Sequence, residues 1–127
     1  MTKLPGSDVW VDFNALAGNL MDRHGLILWL AHEPMLKTVV IVNIAVPKSR
    51  RGRGIGRLVI QKFCDEADKH DYRLAGSPTG EYGTDVERFR AFCTKQGFQP
   101  NTWDENGNRT PHPEIAYTMV RPAKEER

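Results

Sequence analysis

Apolar residues along this chain follow two rhythms. In DFNALAGNLMDRHG, Phe13, Leu16, Ala17, Leu20 and Met21 return at three- and four-residue intervals. That spacing predicts a first helix, which Asp12 can cap and Gly25 can end in the left-handed region. LILWLAH and LKTVVIVNIAV are dense in β-branched residues and are separated by EPM. They predict two strands of a hairpin, with a proline at each end of the second run. Helical spacing then resumes: Val59, Phe63 and Ala67 recur every four residues with Ile60 and Cys64 beside them, ending near Lys69 and His70. YRLAGS predicts a strand. TDVERFRAFCTKQG predicts a helix, with Thr84 and Glu87 at capping-box spacing and Gly97 placed to stop it. The last third is polar, with a turn at Asn106-Gly107, a final strand IAYTMV, and a tail, residues 122–127, expected to fray.

The strand–loop–helix–strand unit in the middle implies parallel pairing of residues 36–46 with 72–77. The other pairings look antiparallel. The fold class expected is α/β, in the α+β sense of a mixed sheet. No repeat or linker divides the 127 residues, so residues 1–127 are expected to form one domain.

Composition changes this picture little. Hydrophobic residues are 39% of the chain, and no apolar run approaches the roughly 18–20 residues of a membrane span. The start, MTKLPGSD, lacks the apolar core of a secretory signal. Cys64 and Cys93 are in no metal or redox spacing; free thiols suit a reducing compartment, so a cytoplasmic protein is expected. Net charge is only +2, but the positive charge is concentrated: Lys48, Arg50, Arg51, Arg53 and Arg57 lie within ten residues.

That basic segment carries the chemistry. VPKSRRGRGIGRLVIQKF places Gly52, Gly54 and Gly56 between a strand and a helix. A helix start has unpaired N–H groups and a positive dipole end, so it accepts an anion, and glycine lets the anion approach the backbone. The Walker loop requires Gly-Lys-Ser/Thr, which is absent. The dinucleotide fingerprint G-x-G-x-x-G would need glycine where Arg57 stands. The pattern R-x-x-G-x-G is filled by Arg51, Gly54 and Gly56.

With that loop the sequence resembles the GNAT-type N-acetyltransferase family. VNIAVPKSRRGRGIGRLVIQKFCDEA is similar to the family's central strand, loop and helix. VERFRAFCTKQGF resembles its later helix, which ends in K-x-G-F, here Lys95, Gly97 and Phe98. The likeness covers residues from about 36 to 98, and the part before it is short for the family. It implies a GNAT-like acyl-CoA N-acyltransferase fold, acetyl-CoA as acetyl donor, and a primary amine, on a small molecule or a protein, as acceptor. The acyl-cofactor arm would lie along Ile44, Ala45 and Val46. The pyrophosphate would sit on Arg51, Gly52, Arg53, Gly54, Ile55, Gly56 and Arg57. A backbone N–H near Val46 would polarise the thioester carbonyl. Many relatives dimerise, so a homodimer belongs among the implied partners; a membrane does not.

Direct attack by the amine needs no enzyme nucleophile, only proton transfers. The family often has a tyrosine acid where this chain has Cys93. Free cysteine tends to be buried, so core packing competes with that role. Tyr82, in the loop after the second parallel strand, and Tyr117, on the final strand, are the alternative acids. Glu33, at the hairpin turn, and Glu81 are the candidate bases; His32 ends a strand and is a further one. Asn43 can face the cleft but cannot act as a base. His112-Pro113-Glu114 reads as a loop, and no metal is expected. Two other classes compete: a non-catalytic acyl-CoA-binding or interaction protein of the same fold, and a small nucleic-acid-binding module using the basic loop. Against nucleic acid, the charge is confined to one loop beside Asp65, Glu66 and Asp68, without an aromatic platform.

Overall fold

A computed structural model of the chain describes residues 6–78 and 86–127. Helix α1, Ser7–His24, starts before Asp12, which lies inside it and does not cap it. The apolar stripe continues back through Val9 and Trp10, both packed on the core, and so extends the helix. Gly6, in the left-handed region, precedes the first turn. At the other end Gly25 takes φ 64° and donates its N–H to the Met21 carbonyl at 2.8 Å, as the sequence predicts.

Strands β1, Ile27–Glu33, and β2, Thr38–Ala45, form the antiparallel hairpin, in register from Ile27 opposite Ala45 to Glu33 opposite Thr38. The turn is a short 3-10 segment, Pro34–Leu36, closed by Lys37 at φ 47°, so β2 begins two residues later than expected. Helix α2, Ile55–His70, crosses over the sheet and returns the chain to β3, Arg73–Gly76. Strand β3 pairs parallel with β2 from Thr38 opposite Arg73 to Ile41 opposite Gly76, the parallel unit predicted from the sequence.

Helix α3 is Val86–Lys95, and its expected start at Thr84 lies outside the described residues. Two short strands complete the sheet, β4 (Gln99–Pro100) and β7 (Met119–Arg121), in the order β1-β2-β3-β7-β4. Among the described residues only the β2–β3 pair is parallel, so the sheet is mixed. Between them β5, Thr102–Trp103, and β6, Arg109–Thr110, form a separate ribbon. Asp104 Oδ1 closes its turn by accepting the N–H groups of Asn106 and Asn108, each at 2.9 Å.

The final strand is far shorter than IAYTMV. Residues 112–117 are held by a side chain rather than by a ladder. Fully buried Asn101 donates its amide to the carbonyls of His112, Ile115 and Tyr117 and accepts the His112 N–H. This segment covers one face of the sheet, where Val40, Ala75, Ile115 and Val120 pack. Helices α1, α2 and α3 contribute to the larger core on the other face, including Phe13, Leu20, Phe63 and Cys93.

The tail expected to fray is docked. Arg73 binds the Glu126 carboxylate through two nitrogens at 2.8 and 2.9 Å. Arg127 pairs with Asp68, and the Glu125 N–H is donated to Asp71. Charge pairing, which apolar periodicity does not report, holds this segment. Among the described residues no helix is long and apolar enough to cross a membrane.

Candidate functional site

Strands β2 and β3 part company after Ile41 and Gly76. Among the described residues, the four following residues of β2, 42–45, have no strand partner on the β3 side. Both strands contribute to this separation. On β1, Trp29 stands opposite Asn43 and Leu30 opposite Ile41, so Val42 is the extra residue of a bulge that bends β2. It also switches the inward side: Val39 and Ile41 face the helices before the bulge, Ile44 and Val46 after it. On β3, Pro78 lacks the N–H to extend a ladder, and Ser77 Oγ accepts the Thr118 N–H at 3.0 Å, drawing that end toward β7.

The resulting cleft has a volume of about 600 Å³. Phe89, Cys93, Phe98 and Met119 line its apolar part, and Trp29, Val42 and Asn43 are also among its lining residues. The loop from β2 to α2 lies along it. Gly52 and Gly54 adopt φ 82° and 75°, which glycine enters without strain, and a Cβ at either would meet nothing within 4 Å. Gly54 caps α2 without a side-chain acceptor, leaving the N–H groups of the first turn available.

Arg51 donates Nε–H to the Val46 carbonyl at 3.1 Å, arching the loop over the end of β2. The Arg57 guanidinium lies 5.4 Å from the centre of the Phe92 ring. Arg50 lies against Gly25 at the end of α1. Among the described residues none of Arg50, Arg51, Arg53 and Arg57 pairs with a carboxylate. Cations and a helix start with no acidic partner among the described residues have the chemistry to accept an anion.

Of the residues read from the sequence as binding the cofactor, Ile44, Val46, Arg51, Gly52, Gly54, Ile55, Gly56 and Arg57 line the cleft; Ala45 and Arg53 do not. The catalytic candidates scatter. Glu33 pairs with Thr38, at the opposite end of the hairpin from the cleft. Tyr117 packs with the cluster on the other face of the sheet. His32 stacks on Trp10 at 5.2 Å and meets the Tyr72 hydroxyl at 3.0 Å, away from the cleft. Tyr82 and Glu81 lie outside the described residues. Cys93 lines the cleft but is buried; burial, with Cys64 nearby, pushes its thiol up to about 12. A thiol so reluctant to ionise is a poor proton donor.

Sequence reasoning passed over Arg50, Ser77 and Pro78 as cleft residues. The Ser-Pro pair directly after YRLAG was the available signal, because proline there ends the parallel ladder. The sequence matches no protein-family model and no curated protein.

Proposed function

We propose that this protein is an N-acetyltransferase of GNAT-like fold that takes an acetyl group from acetyl-CoA and passes it to a primary amine. One observation carries the reading: β2 opens away from β3 beside a glycine-rich helix start flanked by arginines that have no acidic partners among the described residues. An extended ligand with amide groups along its arm and a pyrophosphate at its end is complementary to both halves. The unpaired side of residues 42–45 offers backbone partners to the arm, in the manner of an added strand. The start of α2 with Arg51 and Arg57 offers donors to the pyrophosphate. The apolar wall of Phe89, Phe98 and Met119 excludes water from the thioester.

In this reading a backbone N–H near Val46 stabilises the oxyanion as the amine nitrogen attacks the carbonyl carbon. The C–S bond then breaks, the nitrogen gives up a proton to leave a neutral amide, and the departing thiolate takes one up. Neither proton transfer is assigned to a side chain. The position of Cys93, where the family often has its acid, supports a second reading: a protein of the same fold that binds acyl-CoA without transferring the group.

Thermal unfolding with acetyl-CoA, CoA, ATP, NAD and a short nucleic acid tests the binding step. At about a hundredfold excess over Kd a native-state ligand adds about 2.7 kcal/mol, raising Tm by roughly 8–12 °C for a domain of this size. The expected result is a rise with acetyl-CoA and CoA and none with the others. No rise with either, or an equal rise with every anion, overturns the assignment. Release of free thiol on addition of an amine panel separates the enzyme from the binder.

A further inference from the structure

At the opposite end of α2 from the anion loop, three metal-ligating side chains converge. Glu66 and His70 are four residues apart on α2 and share a face, while Asp12 reaches across from α1. One ligand atom from each lies within 4.8 Å of the other two. Ligand atoms around a zinc-type ion, at about 2.0–2.2 Å from it, stand about 3–4 Å from one another. Small rotamer adjustments therefore suffice to close the set on one ion.

Two further observations distinguish this cluster from an ordinary surface ion pair. His70 Nε2 is shielded from solvent and lies 3.0 Å from Asp12 Oδ2, yet that contact is off the hydrogen-bond axis and, among the described residues, the nitrogen has no hydrogen-bond partner. A shielded ring nitrogen without a partner leaves a donor or a lone pair unused. Meanwhile two carboxylates converge, and among the described residues no lysine or arginine pairs with either. Like charges at this separation repel unless a cation lies between them. A divalent ion would use the nitrogen lone pair and neutralise both carboxylates.

We propose that Asp12, Glu66 and His70 bind a divalent transition-metal ion of the zinc type between α1 and α2, with water completing the coordination. One imidazole with two carboxylates is a borderline donor set, suited to Zn²⁺ or Co²⁺ more than to Mg²⁺ or Ca²⁺. Glu66 and His70 lie 11 and 15 residues beyond Ile55 on α2, which places the site about 17–23 Å along the helix from the anion loop. The ion's role is therefore to tie the two helices together, independently of any chemistry in the cleft.

The test uses tag-free protein stripped with a chelator and then titrated with ZnCl₂ in a calorimeter. Thermal unfolding with Zn²⁺ and visible absorption with Co²⁺ accompany it. The expected results are one ion per chain, a Tm raised by roughly 8–12 °C at about a hundredfold excess over Kd, and Co²⁺ ligand-field bands. His70→Ala and Glu66→Gln should each weaken binding at least about tenfold, while His24→Ala, at the far end of α1, should leave it unchanged. No heat and no Tm change with Zn²⁺, or the same affinity in His70→Ala and Glu66→Gln as in the parent, overturns the site. Both variants change polar groups outside the apolar core, and circular dichroism of each confirms the fold.

Discussion

The carbonyl oxygen of Ile41 lies 3.2 Å from where a Cβ on Gly76 would stand. The two residues are the last register pair of β2 and β3, so this tight contact falls where the strands separate. A side chain at 76 must push on backbone, which cannot swing aside as a side-chain tip can. Gly76→Val is expected to cost about 1–3 kcal/mol, typical of overpacking. It should also impair cleft binding, since Gly76 lines it. Urea unfolding and a nucleotide-cofactor titration measure the two effects separately.

Gly56 offers a cleaner cut between folding and binding. Its Cβ would sit 3.5 Å from the Phe89 ring, an ordinary contact, and its φ is not positive. An aspartate in the first turn of α2 is favoured by the helix dipole by about 0.3–1 kcal/mol. Gly56→Asp should keep or slightly raise Tm and abolish acetyl-CoA binding by repelling phosphate. Gly54→Asp should also lose binding, but at a stability cost, because position 54 requires φ 75°. Unimpaired acetyl-CoA affinity in Gly56→Asp would mean that the ligand's anion sits elsewhere.

The two thiols should be silent in the native protein. Burial pushes Cys64 up to about 11, and burial followed by the neighbouring Cys64 pushes Cys93 up to about 12. At pH 8 neither should react with a disulfide reagent until the chain unfolds, when both titrate together. Cys93→Ala should leave acetyl transfer within a few-fold of the parent if the thiol only packs. A loss of kcat with Kd for acetyl-CoA unchanged would instead make Cys93 a participant in proton transfer.

Asp68 and Arg121 form a two-pronged pair at 2.8 and 3.1 Å, with the Arg121 side chain 6% exposed. The hydrogen bond from Arg121 holds the Asp68 carboxyl below its usual range, and the bond from Arg73 does the same for Glu126. A depressed folded pKa means stability that is present above the unfolded value, near 4, and lost as pH falls through the folded one. Urea midpoints should therefore fall below about pH 4. Asp68→Asn should cost about 2–4 kcal/mol at pH 7, because it strands a buried guanidinium, and should flatten that acid slope. An unchanged slope would rule the pair out as a source of acid sensitivity.

Asn101 is fully buried and its amide closes residues 112–117 over the sheet. Asn101→Ala orphans three carbonyls and one N–H, for an expected loss of about 2–4 kcal/mol. Asn101→Asp should be worse, since it sets a carboxylate against carbonyl oxygens. Faster amide exchange confined to residues 112–118 would identify the local cause, and exchange unchanged there would refute it.

Elements whose signals are local are legible along the chain. The period of Val59, Phe63 and Ala67 specifies α2. The β-branched run specifies β2, and Gly25 and Gly97 stop their helices. The glycine–arginine loop was legible because backbone conformation and charge are written residue by residue.

Features that join residues far apart in the chain emerge only when it folds. The bulge at Val42 reverses which side of β2 faces the core, and no pattern within β2 alone announces it. The opening of the cleft depends on that bulge together with Pro78 and a bond from Thr118 to Ser77. The docked tail and the Asn101 network join polar residues tens of positions apart, which hydrophobic periodicity does not register. For the same reason the catalytic candidates scatter: Glu33, at the hairpin turn, and Tyr117, on the expected final strand, are carried to the far end and the opposite face of a sheet whose register only the folded chain sets.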